Sequence, residues 1–221
     1  MLHERWILDI SHLIDAEVEN IIKNRPPDIS ADKLIGKMYG DFTEMLKVGA
    51  GAGTYVGGMA EYFLFRYILK ALEYKLGKAF KQSDDEIKKF EMDDIVLTHD
   101  YNLVKIDDKL SDHKFDIAIL MKKNEQYHVI AAIEIKAHYN SIKYVRQDIE
   151  HLQKINNNKH KALLFWMTLN TISSDVRDEI ERFHKNDEKN AFFISSYDSV
   201  SDSNKDLDDA MNIIVARLKK V

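Results

Sequence analysis

The sequence predicts a mixed α/β protein that begins with a helical extension. Apolar residues recur at helical spacing near the N-terminus, whereas apolar, β-branched runs alternate with amphipathic segments further along the chain. With 221 residues, the chain is long enough for one large domain, and 45% apolar and 31% charged residues are typical of a folded globular protein. We therefore expect a helical extension over residues 1–48 and an α/β domain over residues 49–221.

The extension is predicted to contain two amphipathic helices, at residues 4–23 and 31–47. They are separated by Asn24-Arg25-Pro26-Pro27, which contains the only two prolines of the chain. Two adjacent prolines cannot continue a helix, because each lacks a backbone N–H and its ring clashes with the preceding turn. The chain must therefore turn at this point.

Five of the eight glycines lie between Gly49 and Gly58. This stretch lacks the Gly-Lys-Ser/Thr ending of a phosphate-binding loop, and no clear strand precedes it. A flexible hinge, or a place where two backbone segments approach closely, is the prediction for these residues.

The next predicted helix, from Met59 to about Leu76, carries an inward-facing carboxylate. On a helical wheel Glu61 aligns with Phe65 and Leu72, while Arg66 points the opposite way. A carboxylate near a helix N-terminus is also stabilised by the helix dipole. The pattern alone therefore leaves both a functional and a structural role open for Glu61.

Three strands, a helix and a fourth strand are predicted next. Their ranges are Asp94–Ile106 with a turn at Asp100–Asn102, Phe115–Met121, Tyr127–Lys136, the helix Ser141–Ile155, and the buried strand Ala162–Leu169. A helix at Ser173–Lys185, a strand at Ala191–Tyr197 and an amphipathic helix at Leu207–Lys220 are predicted to complete the domain.

The two middle strands carry charges that a buried strand should not contain. Asp116 lies in the first, and Glu134 and Lys136 lie near the end of the second, where alternation places both on one face. These charges must be compensated by each other, by a metal or by a solvated cleft, because an unpaired charge in an apolar strand is costly. Six acid-x-Lys triplets occur in the chain, but only the one at Glu134 closes an apolar, β-branched run.

An Asp on one strand and a Glu-x-Lys on the next resemble the PD-(D/E)XK nuclease superfamily, which includes many restriction endonucleases and RecB-like nucleases. Phe115 precedes Asp116 where the family pattern has proline. The predicted order of helix, three strands, helix and strand, over about residues 57–169, is also similar to the family's core. The resemblance implies a restriction endonuclease-like αβββαβ core, with a central mixed sheet flanked by helices.

The resemblance also implies a set of site residues. Asp116 and Glu134 match the family's metal-binding acids, and Lys136 matches its catalytic lysine. Glu61 matches a carboxylate that the family often supplies from the helix before the sheet, and the carbonyl of Ile135 is a further expected metal ligand. Mg²⁺ is the expected cofactor, since it favours oxygen ligands, and Mn²⁺ can substitute for it.

One further match lies on the helix after the motif. Many RecB-like members carry Gln-x-x-x-Tyr there, and this chain has Gln147 followed by His151 in the tyrosine position. Gln147 is therefore a candidate catalytic residue. Exposed polar residues of a surface helix would explain both side chains without any function.

The charge of the chain is segregated along its length. The formal net charge is −5, yet Lys136 to Lys161 contains six basic and two acidic residues, whereas acids concentrate at residues 84–94 and 202–209. From charge alone a solvated face explains the basic stretch equally well. Because it directly follows the Glu134 motif, we expect it to contact DNA.

Several classes of protein are not expected. Without cysteine the chain has no disulfide framework and no thiolate zinc site. The N-terminus has frequent acids and no uninterrupted apolar core, so no signal peptide is predicted, and the most apolar helix is broken by charges, so no membrane span is predicted. A soluble, cytoplasmic protein is expected.

The expected function is that of a Mg²⁺-dependent DNA endonuclease, of the type II restriction kind, acting as a homodimer that cuts both strands. A RecB-like repair or junction-resolving nuclease is one alternative. A non-catalytic nucleic-acid-binding or assembly module with the same fold is another. For Asp116, Glu134 and Lys136 the structural alternative is a buried ion-pair network.

Overall fold

The structure is a computed structural model that describes residues 2–46, 53–83, 86–110, 113–136, 142–156, 161–197, 200–201 and 203–220. The elements of the first half are α1 (Leu2–Asn24), α2 (Ala31–Leu46), α3 (Gly53–Leu76), β1 (Lys81–Ser83), β2 (Glu86–Met92), β3 (Ile95–Asn102) and a 3₁₀ turn (Leu103–Lys105). Those of the second half are β4 (Lys114–Lys123), β5 (Gln126–Lys136), α4 (Ile142–Asn156), β6 (Leu163–Thr168), α5 (Ser174–Asn186), β7 (Ala191–Tyr197), β8 (Val200–Ser201) and α6 (Leu207–Leu218).

The strands form a mixed sheet in which neighbours along the chain are also neighbours in the sheet, from β1 to β8. Strands β1 to β5 pair antiparallel, β5, β6 and β7 pair parallel, and β8 pairs antiparallel with β7. Each parallel pair is joined by a helix, α4 or α5, because parallel strands need a long crossover connection. The predicted mixed α/β architecture is confirmed at this level.

The sheet has more strands than the sequence predicted. Strands β1, β2 and β8 were not predicted, because β1 has only three residues, β8 spans only Val200–Ser201, and β2 is rich in charged residues. Very short strands such as β1 and β8 are typical of sheet edges, where they discourage pairing with other chains. Such strands leave little apolar alternation for a sequence pattern to detect.

Helices cover both faces of the sheet. α1, α2, α3 and α6 pack with one set of strand side chains, and α4 and α5 pack with the other set. Along β5, Ile133 and Ile135 belong to the first core and Ala132 to the second. Alternation along the strand therefore places Glu134 and Lys136 on the face that α4 covers.

The hinge predicted at the glycine-rich stretch is wrong for the glycines that the structure describes. α3 begins at Gly53, so that Gly53, Gly57 and Gly58 are helical. Residues 49–52 lie outside the described residues. The helix continues through its glycines because packing of the α3 helix into the core, where Phe63 and Leu64 are buried, outweighs their weak propensity.

The turn predicted at Asp100–Asn102 is also wrong, because β3 continues to Asn102. Asp100 adopts a positive φ of 50°, a conformation that Asp tolerates better than most residues. Its carboxylate forms ion pairs with Lys88 on β2 and Lys114 on β4. The local preference of Asp100 favours a turn. These cross-strand ion pairs nevertheless hold it within the sheet.

The helical extension packs against the rest of the chain. Val18 of α1 and Ile35 of α2 are buried in the core that contains α3. Arg66 of α3, which points away from Glu61, forms an ion pair with Asp15 of α1. Among the described residues, no helix is long and apolar enough to cross a membrane.

Candidate functional site

Asp116 and Glu134 meet where strands β4 and β5 separate. The ladder between these strands extends to the pair Ile117–Ile133. Beyond this pair, the side chain of Asp116 takes the place of a backbone group of β4 as hydrogen-bond acceptor. Its Oδ2 accepts a hydrogen bond of 2.6 Å from the backbone N–H of Ile135. The carboxyl groups of Asp116 and Glu134 also interact with each other. Glu134 is only 3% exposed, whereas Asp116 is half-buried.

Ile135 presents its backbone to this pair. In an extended strand the C=O of a residue points to the same side as its N–H. Because the N–H of Ile135 binds Asp116, its carbonyl lies on the Asp116 side of the strand. Its own side chain is buried in the core on the α3 face.

Lys136 lies between two carboxylates from different elements. Its Nζ is 3.8 Å from Oε2 of Glu134 and 3.3 Å from Oδ1 of Asp148 on α4. Asp148 is buried and also faces the indole of Trp166 on β6. The sequence analysis did not select Asp148, although helical spacing puts it on the apolar stripe of Val145 and Leu152, where a carboxylate is unusual.

Glu61 lies on helix α3, which packs on the other face of the sheet. Its side chain is half-buried, and the charges of Asp116 and Lys136 both act on it. Burial, reinforced by the charge of Asp116, raises the pKa of Glu61 to about 7. The structure thus brings together Asp116, Glu134 and Lys136, and Glu61 lies near enough for the charges of Asp116 and Lys136 to act on it.

The electrostatics of the site show an excess of carboxyl groups over cations. Burial raises the pKa of Asp116 and of Asp148, and burial together with the charge of Asp116 raises the pKa of Glu134 to about 9. Burial alone would lower the pKa of Lys136, but the surrounding carboxylates outweigh it and raise that pKa, which keeps the ammonium charged. A bound divalent cation would relieve this excess negative charge.

Two histidines extend the site on the α4 side. Nε2 of His113, just before β4, is 2.8 Å from Oε1 of Glu134. The ring of His113 lies 3.9 Å from that of His151 on α4, measured between centroids. One ligand atom from each of His113, Glu134 and His151 lies within 4.8 Å of the others, so this group could hold a metal ion.

Local sequence patterns do not indicate this histidine pair. His113 follows an aspartate in an isolated Asp-His pair, and only its position just ahead of the Asp116 strand could have suggested a role. His151 was noted for a different reason, as the residue in a family tyrosine position. Gln147, one turn before His151, is exposed and lies outside the group of contacting residues.

The basic stretch after Lys136 is only partly described, since residues 137–141 and 157–160 lie outside the described residues. On α4, Lys143, Arg146 and Lys154 are exposed. Arg146 forms an ion pair of 2.9 Å with Glu179 on α5, so its charge is partly neutralised within the protein. Lys143 and Lys154 are the better candidates for contact with an anionic partner.

A scan against protein-family models and searches of curated proteins and of solved structures found no match to this chain. The geometry of the site therefore carries the functional interpretation.

Proposed function

We propose that the protein is a Mg²⁺-dependent endonuclease that hydrolyses DNA phosphodiester bonds. The observation that carries the proposal is the convergence of Asp116 and Glu134, with Lys136 3.8 Å from Glu134, at the point where β4 and β5 separate. Two carboxylates this close cannot both be charged at low cost unless a cation is bound between them.

The donor set fits Mg²⁺. Asp116 and Glu134 would supply carboxylate oxygens, Ile135 a backbone carbonyl on the same side, and Glu61 a further carboxylate directly or through water. When bound, Mg²⁺ would supply Lewis-acid stabilisation of charge on the phosphate and on the leaving oxygen.

The residues of the chain would perform the remaining tasks. Lys136 keeps its positive charge and would stabilise the charge that develops on the phosphate. Asp148, 3.3 Å from Nζ, would hold the ammonium in position. The hydrogen bond from Ile135 to Asp116 fixes the carboxylate relative to the strand that carries Glu134 and Lys136.

The order of elements supports a restriction endonuclease-like core. Helix α3, strands β3 to β5, helix α4 and strand β6 follow one another as αβββαβ, with β1 and β2 added before β3 and β7 and β8 added after β6. We propose that this is the catalytic core and that the exposed face of α4, with Lys143 and Lys154, approaches the DNA backbone. A homodimer would place two such sites on opposite strands of a duplex.

The proposal is tested by incubating the full chain with supercoiled plasmid and Mg²⁺, with EDTA as a control. Nicked or linear DNA is expected only with Mg²⁺, and linear DNA as the first product would indicate coordinated cutting of both strands. Glu134→Gln and Lys136→Met should each remove most cleavage, and the double variant should lose little more, because residues that act as a unit are non-additive.

Two surface variants serve as matched controls. Asp108→Asn and Lys109→Met make similar changes of charge at exposed positions and should cleave like the wild type. A folded wild-type protein that binds DNA but leaves the plasmid intact with Mg²⁺ and with Mn²⁺ would instead favour the non-catalytic binding module.

A further inference from the structure

His113, Glu134 and His151 form a group whose composition differs from that of the carboxylate pair. It contains two imidazoles and one carboxylate, contributed by the segment before β4, by β5 and by α4. We propose that these three residues form a second cation site, for a divalent first-row transition ion such as Zn²⁺.

The distances within the group are close to those of a coordination sphere. Ligand atoms about 2.0–2.2 Å from one Zn²⁺ ion lie roughly 3 Å apart when they are adjacent in its coordination sphere. Nε2 of His113 and Oε1 of Glu134 are already 2.8 Å apart, and the ligand atom of His151 lies within 4.8 Å of both. Binding of an ion would require the ligand atom of His151 to approach the other two more closely.

The two carboxylate oxygens of Glu134 face different groups. Oε1 faces His113 at 2.8 Å, whereas Oε2 faces Lys136 at 3.8 Å. One carboxylate can therefore contribute to the imidazole group and to the site that it shares with Asp116. The side chain of His113 is 27% exposed, which leaves access for water or another ligand at an open coordination position.

The chemistry of the ligands selects the class of ion. Imidazole nitrogen suits zinc, iron, nickel and copper, whereas Mg²⁺ prefers oxygen ligands. The group is therefore expected to bind Zn²⁺ even when Mg²⁺ is in large excess.

The test measures Zn²⁺ binding by isothermal titration calorimetry on the full chain, with excess Mg²⁺ and without DNA. Co²⁺ is then used as a coloured substitute, since its visible absorption reports coordination by nitrogen. The wild type is expected to bind one Zn²⁺ per chain under these conditions. His113→Gln and His151→Gln should each weaken Zn²⁺ binding about tenfold or more and reduce the Co²⁺ absorption.

His128→Gln is the matched control, because His128 lies near the start of β5, far along the strand from Glu134, and this variant should bind Zn²⁺ like the wild type. The two test histidines lie on different segments, so one remains informative if the other variant does not fold. Absence of Zn²⁺ binding by the wild type, or wild-type affinity for Zn²⁺ in both test variants, would overturn the proposal.

The inference does not depend on the proposed nuclease activity. Asp116→Asn should abolish plasmid cleavage but retain Zn²⁺ binding by the imidazole group. A wild-type protein that binds Zn²⁺ through these histidines without cutting DNA would refute the proposed function alone. A protein that cuts DNA but does not bind Zn²⁺ would refute the second cation site alone.

Discussion

The ammonium of Lys136 contacts one carboxylate from the sheet and one from a helix. These contacts determine how mutation of a neighbouring carboxylate affects stability. Lys136 contacts Glu134 and Asp148, while Asp116 contacts the backbone N–H of Ile135 and the carboxyl group of Glu134. A simple pair between Asp116 and Lys136 would make Asp116 a structural counter-ion. The observed contacts leave Lys136 with a partner in Asp148 even if Asp116 is neutralised.

The half-buried side chain of His99 makes the stability of the protein depend on pH. Burial, reinforced by Lys88 and Lys114 and opposed by Asp100, lowers the pKa of His99 to about 4, and its ring stacks on Phe65. The folded state therefore binds fewer protons than the unfolded state between about pH 6.5 and pH 4, and stability is lost as the pH falls through this range.

His99→Phe keeps an aromatic ring against Phe65 and removes the titrating group. Relative to its value at pH 7, the free energy of unfolding of this variant should fall less by pH 4 than that of the wild type, by up to about 3 kcal/mol. Urea unfolding of both proteins at pH 7 and pH 4 measures the difference. Parallel losses of stability in the two proteins would show that His99 does not contribute to acid sensitivity.

At the residue scale, part of the site could be predicted from sequence. Asp116, Glu134 and Lys136 stood out because charges interrupt apolar strands, and strand alternation placed two of them on one face. Asp148 could have been found from its position on the apolar stripe of α4. His113 could not have been predicted, because its contact with Glu134 depends on the tertiary position of the segment before β4. The local sequence pattern does not indicate that position.

At the scale of elements, the glycine-rich start of α3 is where local preference and packing disagree most. Gly58 lies within the helix, and a Cβ added there would meet no heavy atom within 4 Å. Gly77 follows the end of the same helix with a φ of 69°, and its N–H bonds the carbonyl of Glu73. The two glycines therefore differ in conformation but not in the space around them.

This difference gives opposite predictions for the same substitution. Gly58→Ala should raise the free energy of unfolding by about 0.5–1 kcal/mol, because alanine favours the helix. Gly77→Ala should lower it by about 1–2 kcal/mol, because a side chain strains the left-handed conformation. Chemical denaturation of both variants measures the signs, and a destabilised Gly58→Ala would indicate that residue 58 is not helical.

Helix α4 carries the expected contact with the DNA backbone. Lys143→Ala combined with Lys154→Ala should weaken DNA binding about equally for all sequences, and should flatten the dependence of log K on log salt by up to about 0.9 per lost phosphate contact. Fluorescence anisotropy in EDTA measures this slope without cleavage.

Lys219→Ala combined with Lys220→Ala provides the control for charge, because these exposed residues follow α6, which packs on the opposite face of the sheet. The control variant should keep the wild-type slope. If it flattens the slope and the α4 variant does not, the DNA binds elsewhere.

At the scale of the whole molecule, the sequence predicted the order of the principal helices and strands better than the extent of the sheet. The long apolar strands and amphipathic helices were found because each buries a continuous surface, as in β6, where every residue is buried. Strands β1, β2 and β8 were missed because their pairing is determined by neighbours in the sheet. The same dependence on tertiary contacts explains the helical glycines of α3 and the continuation of β3 through Asp100.

Binding of a metal by Asp116 and Glu134 should stabilise the whole fold, and thermal melting measures this without any substrate. A divalent ion at a hundredfold excess over its Kd stabilises the folded state by about 2.7 kcal/mol, which for a chain of this size raises the melting temperature by roughly 5–10 °C. Asp116→Asn keeps the shape of the side chain and removes one of the two interacting charges. Lys136 retains Asp148 as a partner in this variant.

The decisive measurement is therefore the melting temperature of the wild type, of Asp116→Asn and of the exposed control Asp108→Asn, each with EDTA and with Mg²⁺ or Ca²⁺. The wild type and Asp108→Asn should melt at a higher temperature with the metal. Asp116→Asn should match or exceed the wild type in EDTA and should lose the metal-dependent increase. A wild type indifferent to metal, together with an Asp116→Asn variant that is destabilised in EDTA, would show instead that these charges form a structural network.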